Sequence, residues 1–190
     1  MDIEKIKKAD TKYLGKDIIY YEKIESTQDE AKKIIEKKPM NGTIVITDEQ
    51  TKGKGTKGRT WYSSKGNNIT MTIILTPNCK LNALDGITIK IAEVMVNVID
   101  ELFNIKLQIK EPNDLILNNK KIAGILTESK TLHDKVKQLI IGIGFDVNET
   151  NFNEGTKNIA TSLKKEYGRD FCIEDIIVKF LEEFEEILYQ

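Results

Sequence analysis

The sequence predicts an α+β domain, a mixed and largely antiparallel sheet with helices packed on it. Short runs rich in β-branched or alternating residues read as strands, and longer runs with apolar residues three to four apart read as helices. Several of the strands follow one another across turn residues instead of alternating with helices, which disfavours an all-parallel sheet. At 190 residues the chain can bury a substantial core, so residues 1–190 are expected to form a single domain.

The elements follow in order. Residues 2–8 read as a short, weak helix and residues 17–21 as a strand. An amphipathic helix then runs to about Lys38, with Thr27 as its N-cap and Glu30 three residues on as a capping box. Ile34 and Ile35 give its apolar face, and Pro39 is expected to end it. Strands are expected at 43–48, after Gly42, and at 68–75, where threonine alternates with hydrophobic residues. A long helix over 83–102 carries Ile87, Ile91, Val94, Val98 and Leu102 at helical spacing. Residues 105–109 alternate as a strand, and 115–117 and 121–128 flank Asn118-Asn119 as a hairpin. Residues 136–147 form a mostly apolar strand containing Gly142 and Gly144, glycines of the kind that let a ligand approach the backbone closely. Helices at 158–167 and 174–188 close the chain.

Composition narrows the chemistry. A net charge of −1 gives no global reason to expect a nucleic-acid or membrane partner. No apolar run is long enough to cross a bilayer. Cys79 and Cys172 are far apart and match no metal-ligand spacing, so they are expected as free thiols in a reducing cytoplasm. His133 is the only histidine and sits in a polar turn, so neither a Ser-His-Asp triad nor a multi-histidine metal site can be built. No protein metal site is expected. Chemistry must then run on lysine, arginine, backbone amides and a bound metal ion.

The segment from Lys52 to Trp61 concentrates such groups. Gly53, Gly55 and Gly58 alternate with Lys52, Lys54 and Lys57, and Arg59 follows. Glycines permit tight bends whose N–H groups can cradle an anion, and the cations suit a phosphate or carboxylate. A solvated basic loop is the alternative. Three further segments stand out: Glu25-Ser26-Thr27-Gln28 at a strand–helix junction, Lys110-Glu111-Pro112-Asn113-Asp114 followed by Lys121-Ile122-Ala123-Gly124-Ile125-Leu126-Thr127-Glu128, and Gly142-Ile143-Gly144-Phe145-Asp146-Val147-Asn148.

Together these segments resemble the catalytic domain of biotin–protein ligases. That family reads approximately D/E-S-T-N/Q, then Q-x-x-G-R-G-R-x-G-R-x-W, K-W-P-N-D, K-I/L-A-G-I-L-x-E and G-I-G-I/L-N-x-N. Gln50 opens the second motif here, and order and spacing agree from about Tyr20 to Asn148. The resemblance implies the fold shared with lipoate ligases and class II aminoacyl-tRNA synthetases. It also implies two steps: biotin and ATP form biotinyl-5'-AMP with loss of pyrophosphate, and a lysine of a biotin carboxyl carrier protein then displaces AMP. Mg²⁺ is expected with ATP, held by Asp114 or Asn113. By this resemblance Lys110 bridges the biotin carboxylate and the phosphate, with Lys54 as a second catalytic candidate. Ser26, Thr27 and Gln28 bond the biotin ring. Gln50, Gly55, Thr56, Arg59 and Trp61 close over the intermediate, and Asn113, Gly124, Gly144 and Asn148 complete the pocket. Trp61 either stacks on the ligand or packs in the core.

The chain also departs from the pattern. Lys54 and Thr56 stand where arginines are usual, so the loop is expected to hold the adenylate less firmly. Glu111 replaces the tryptophan and either pairs with Lys110 or faces solvent. The small C-terminal domain of most members and the helix-turn-helix domain of the repressor-type members are not expected within these residues, so no DNA-binding role is expected. Dimerisation through a sheet edge is plausible on physical grounds. A lipoate or octanoate ligase, or a non-catalytic biotin- or nucleotide-binding module completed by a partner chain, are the alternative functions.

Overall fold

The structure is a computed structural model that describes residues 1–38 and 40–188. A short helix α1 (Ile3–Ile6) precedes strand β1 (Ile18–Ile24) and helix α2 (Thr27–Lys37). Strand β2 (Ile44–Gln50) leads into the basic loop, which forms a small hairpin of β3 (Gly53–Lys54) and β4 (Thr60–Trp61). Strands β5 (Ile69–Leu75) and β6 (Cys79–Lys80) precede the long helix α3 (Ile87–Phe103). Four strands follow without a helix between them: β7 (Gln108–Lys110), β8 (Asp114–Leu117), β9 (Lys120–Leu132) and β10 (Lys135–Phe145). Helices α4 (Leu163–Tyr167) and α5 (Ile173–Leu188) end the described chain.

The main sheet runs β1-β2-β5-β10-β9-β8-β7, with β6 pairing to β10. Only β1–β2 is parallel among its described pairings, as expected of a mixed, largely antiparallel sheet. Alternation of side chains across each strand divides the sheet's two faces. On one face Ile44, Ile46, Ile73 and Ile141 join a core with α3 and α5. On the other, Val45, Ile74 and Ile140 pack against Ala31 and Ile35 of α2. Helix α2 covers only part of that second face and leaves room beside it.

Several boundaries differ from the sequence reading. Ser26, not Thr27, caps α2, its hydroxyl accepting from the Asp29 N–H at 3.3 Å. Thr27 is already helical, so the expected capping box with Glu30 does not form. Pro39, expected to end this helix, lies outside the described residues. Helix α3 begins at Ile87 because Gly86 sits at φ +74°, and residues 81–84 form a separate 3₁₀ turn. The strand expected at 105–109 is Gln108–Lys110, with Ile105 and Leu107 buried. The expected hairpin at Asn118-Asn119 forms, with both residues at positive φ. The helix expected from 158 starts only at Leu163, since Thr161 N–H donates to Lys121 C=O and Lys121 N–H to Ile159 C=O.

Candidate active site

A cavity of about 490 Å³ opens beside α2, between the sheet and the basic loop. At one end the sheet floor meets the first turn of α2. Thr72 Oγ1 lies 2.9 Å from Thr27 Oγ1 and 3.2 Å from Gln28 Oε1, and its single proton serves one of them. Gln50 Oε1 accepts from both the N–H and the hydroxyl of Thr27, at 2.7 and 3.1 Å. Gln28 Nε2 donates to Glu128 at 2.8 Å, and Lys32 donates to the same carboxylate. Burial acts to raise the Glu128 carboxyl, but the bonds from Lys32 and Gln28 outweigh it and hold the group below the ordinary carboxylate range. The result is a row of polar groups oriented before any ligand arrives.

The floor of the cavity is backbone. Gly142 lies under Gln28, and a Cβ there would come within 2.6 Å of Gln28 Oε1. Gly144 pairs with Gly124 across β10 and β9, and a Cβ on Gly144 would overlap the Trp61 indole. Two buried polar atoms of the wall, Trp61 Nε1 and Thr70 Oγ1, have no hydrogen-bond partner among the described residues. Native proteins rarely leave such groups unpaired, and here both line a cavity that a polar ligand could fill.

Lys121 stands in the middle of the wall. Its ammonium is 2.6 Å from Asp114 Oδ1, an ion pair without hydrogen-bond geometry, and 5.5 Å from the Trp61 ring centroid. A β-bulge puts it there. Asp114 and Leu115 face Gly124 and Ala123, but Ile116 and Leu117 face Lys121 and Lys120, leaving Ile122 as the extra residue. The bulge reverses the alternation, so Lys121 shares the cavity face with Gly124 and Leu126.

The structure brings most of the expected site residues to this cavity. Thr27, Gln28, Gln50 and Trp61 line it, as do Asn113, Gly124 and Gly144. Asn113 is fixed there, with its side-chain amide donating to Ile125 C=O at 3.1 Å. From the loop come Lys54, Gly55, Thr56 and Arg59. Lys54 turns outward to Asp29 at 2.6 Å, and the Arg59 guanidinium folds back onto Thr56 Oγ1 at 2.7 Å.

Three expected residues are not on the wall. Lys110 is exposed at the end of β7, outside the cavity. No ion pair joins it to Glu111 among the described residues, and Glu111 faces solvent. Ser26 is buried as the cap of α2. Asn148 is engaged by Phe171, donating to its C=O and accepting from its N–H, each at 2.9 Å.

Sequence reasoning overlooked Lys121 as a cavity group, together with Thr72, Asp146 and the strip from Phe152 to Ala160. The alternating threonines of residues 68–75 were a usable signal for Thr70 and Thr72, because they fall on one face of the strand. The strip has no motif. Asp146 is 5% exposed, and burial pushes its carboxyl well above the usual range, with Glu149 adding to this and Lys121 opposing it.

The comparisons with known proteins agree with this geometry. Residues 20–146 match the model of the biotin/lipoate A/B protein ligase family. The chain is 39% identical over 160 residues to the bifunctional ligase/repressor BirA of Bacillus subtilis, covering 83% of this chain and 49% of that protein. It thus spans about half the length of that curated relative. Among solved structures it resembles a biotin protein ligase from Aquifex aeolicus in complex with biotin and ATP, with TM-score 0.78 and 29% identity over 92% of this chain and 71% of that one. It also resembles a biotin protein ligase from Leishmania major in complex with biotinyl-5-AMP, with TM-score 0.75 and 25% identity over 91% of this chain and 75% of that one. With the family model covering most of the chain and its motifs meeting in one cavity, the chain belongs to the biotin/lipoate A/B protein ligase family.

Proposed function

We propose that the protein is an ATP-dependent biotin–protein ligase that forms biotinyl-5'-AMP and passes biotin to a lysine of a biotin carboxyl carrier domain. The observation that carries this reading is the order of groups along one cavity: the prearranged Thr27, Gln28, Thr72 and Gln50 end, then Lys121 beside Trp61, with the basic loop as the opposite wall. The polar end suits the ring of biotin, with apolar Leu126 beside its chain. Relatives named biotin protein ligases, with biotin and ATP bound, support the same substrates.

The chemistry asks the protein for position and charge. The biotin carboxylate attacks the α-phosphorus and pyrophosphate departs. Two anions must be held in line while negative charge builds on the phosphoryl oxygens. Lys121 is the cation placed to contact both, and its ion pair with Asp114 keeps it extended into the cavity until a ligand anion competes. This assigns to Lys121 the bridging role expected of Lys110. The basic loop supplies Lys54 and Arg59 for the triphosphate once their present partners release them. In the second step the acceptor amine attacks the acyl carbon of the mixed anhydride, and AMP leaves. Excluding water at that stage protects the anhydride, and the loop is the segment placed to do it.

No group of three or more His, Cys, Asp or Glu side chains that could hold a metal occurs among the described residues. Of the residues expected to hold Mg²⁺, Asp114 pairs with Lys121 and Asn113 donates to Ile125 C=O, so we take Mg²⁺ to enter with the triphosphate.

Biotin-dependent exchange of pyrophosphate into ATP tests the reading. Exchange with biotin, and none with lipoate or octanoate, is the expected result. Exchange with lipoate alone would reassign the substrate, and exchange with none of the three would remove the ligase activity from this chain.

A further inference from the structure

We propose that Glu128, from outside the cavity, fixes the sense of the Gln28 side-chain amide and so commits the polar end of the cavity to a ligand N–H. The proposal rests on the ligase reading above, since the ring of biotin is the N–H donor that this end would receive. It adds to that reading a positioning residue that itself touches no substrate.

The placement follows from β9 and α2. Alternate residues of β9 share the cavity face: Gly124 and Leu126 line the cavity, and Glu128 comes next, beyond the lining and against α2. Gln28 and Lys32 stand four residues apart on α2 and so project from one side of it. Both reach Glu128. Gln28 Nε2 donates to Glu128 Oε2 at 2.8 Å, and the Lys32 ammonium lies 2.8 Å from each carboxylate oxygen.

A side-chain amide has two ends of similar shape and opposite function, and its neighbours decide which end faces which way. An ionised carboxylate accepts and cannot donate, so Glu128 takes the NH2 end of Gln28. Partial burial acts to raise the Glu128 carboxyl, but Lys32 and Gln28 keep it ionised at neutral pH. The oxygen end of Gln28 is thereby turned to the cavity floor. Thr72 Oγ1 lies 3.2 Å from Gln28 Oε1, and a Cβ on Gly142 would come within 2.6 Å of it. The single Thr72 proton occupies at most one of the two lone pairs of that oxygen and leaves the other for a ligand donor.

Lys32 makes the arrangement one-way, because an ammonium only donates. In Glu128→Gln a single oxygen remains, Lys32 takes it, and the new NH2 faces Gln28. Gln28 then turns its oxygen to that NH2 and its own NH2 to the cavity, where it opposes a ligand N–H. In Glu128→Ala no neighbour dictates the sense, and the amide can turn to suit the ligand. The change that keeps the shape of the side chain is therefore the more harmful one. A contact that served only packing would give the reverse order.

Trp61 is the sole tryptophan and lines the same cavity, so its fluorescence reports binding without turnover. Affinities for biotin and, separately, for ATP would be measured on the full chain, together with single-turnover adenylate formation at saturating biotin. Biotin affinity is expected to fall about ten-fold or more in Glu128→Gln and about two- to five-fold in Glu128→Ala, the cost of an opposed and of a lost hydrogen bond. The double variant Gln28→Glu/Glu128→Gln should recover to within about three-fold of the wild type. A carboxylate at position 28 accepts both from the amide at position 128 and from the ligand, and Lys32 four residues on keeps it charged. ATP affinity and the rate at saturating biotin should stay within about two-fold in all three variants. A loss in Glu128→Ala equal to or greater than that in Glu128→Gln, a double variant no better than Glu128→Gln, or an ATP affinity or saturated rate that falls along with biotin affinity would overturn the proposal and leave the ligase reading standing. Failure of the wild type to bind biotin would overturn both.

Discussion

Lys110 and Lys121 both precede a family motif, and their side chains end in different places. Lys110 lies in solvent at the end of β7, whereas Lys121 is in the cavity wall beside Trp61. The sequence could not separate them, because strict two-residue alternation from Gly124 assigns Lys121 to the opposite face. The extra residue Ile122 reverses that parity, and a bulge of this kind has no reliable signal in composition. Most of the remaining site was legible, because glycines that admit Gln28 and Trp61 and a serine-capped strand–helix junction have local causes. Lys121→Ala should lower single-turnover formation of the adenylate by about 10²- to 10³-fold, the range for losing one transition-state donor. Lys110→Ala should cost less than about three-fold, as for other exposed lysines. Greater damage from Lys110→Ala would return the bridging role to Lys110.

At the scale of elements, the basic loop is a hairpin held to its neighbours by charge. Lys54 pairs with Asp29 in the first turn of α2 at 2.6 Å, and Lys52 with Glu25 at 2.7 Å. Both pairs are substantially exposed, and such pairs contribute about 0–1 kcal/mol and weaken with salt. A latch of that strength suits the opening and closing that the proposed ligase reaction asks of this loop. Asp29→Asn should therefore raise amide hydrogen exchange at residues 53–58 by about two- to five-fold. Raising the salt should bring the wild type toward the variant. Exchange that responds to neither change would mean that backbone pairing of β3 and β4 holds the loop. The sequence marked this segment as a loop but did not show its hairpin, because Gly53 pairs with Trp61 and Lys54 with Thr60 without strand-forming composition. Elements with strong local signals fared better, among them the Asn118-Asn119 turn and α5. The late start of α4 came from pairing with Lys121, a contact far away in sequence.

At the scale of the molecule, the sheet separates a stabilising face from a working face. Helices α3 and α5 pack on one side, and the cavity lies on the other beside α2. The working face leaves polar groups unpaired, so stability must be supplied elsewhere. One source is the attachment of the first sixteen residues to α5. Glu185, only 8% exposed, accepts from the N–H groups of Tyr13 and Leu14 at 2.7 and 2.8 Å, and from that of Lys12. Those bonds hold Leu14 in the core against α5. Burial acts to raise the Glu185 carboxyl, but the backbone donors of Leu14, Lys12 and Tyr13 prevail and hold it below the ordinary carboxylate range. A depressed folded-state value means that the ionised form is stabilised by folding. Its contribution is complete above the unfolded value, about pH 4.3, and is lost as pH falls through the lower folded value. Glu185→Gln should therefore lower stability by about 1–3 kcal/mol at pH 7, since Gln brings a donor where three donors already converge. Denaturant unfolding at pH 7 and at about pH 3.5 would show the gap between wild type and variant narrowing at the acid end. Biotin affinity at pH 7 should stay unchanged, because Glu185 lies on the face away from the cavity. A gap that stayed constant into acid would show that shape at Glu185, and not its charge, secures the N-terminal segment.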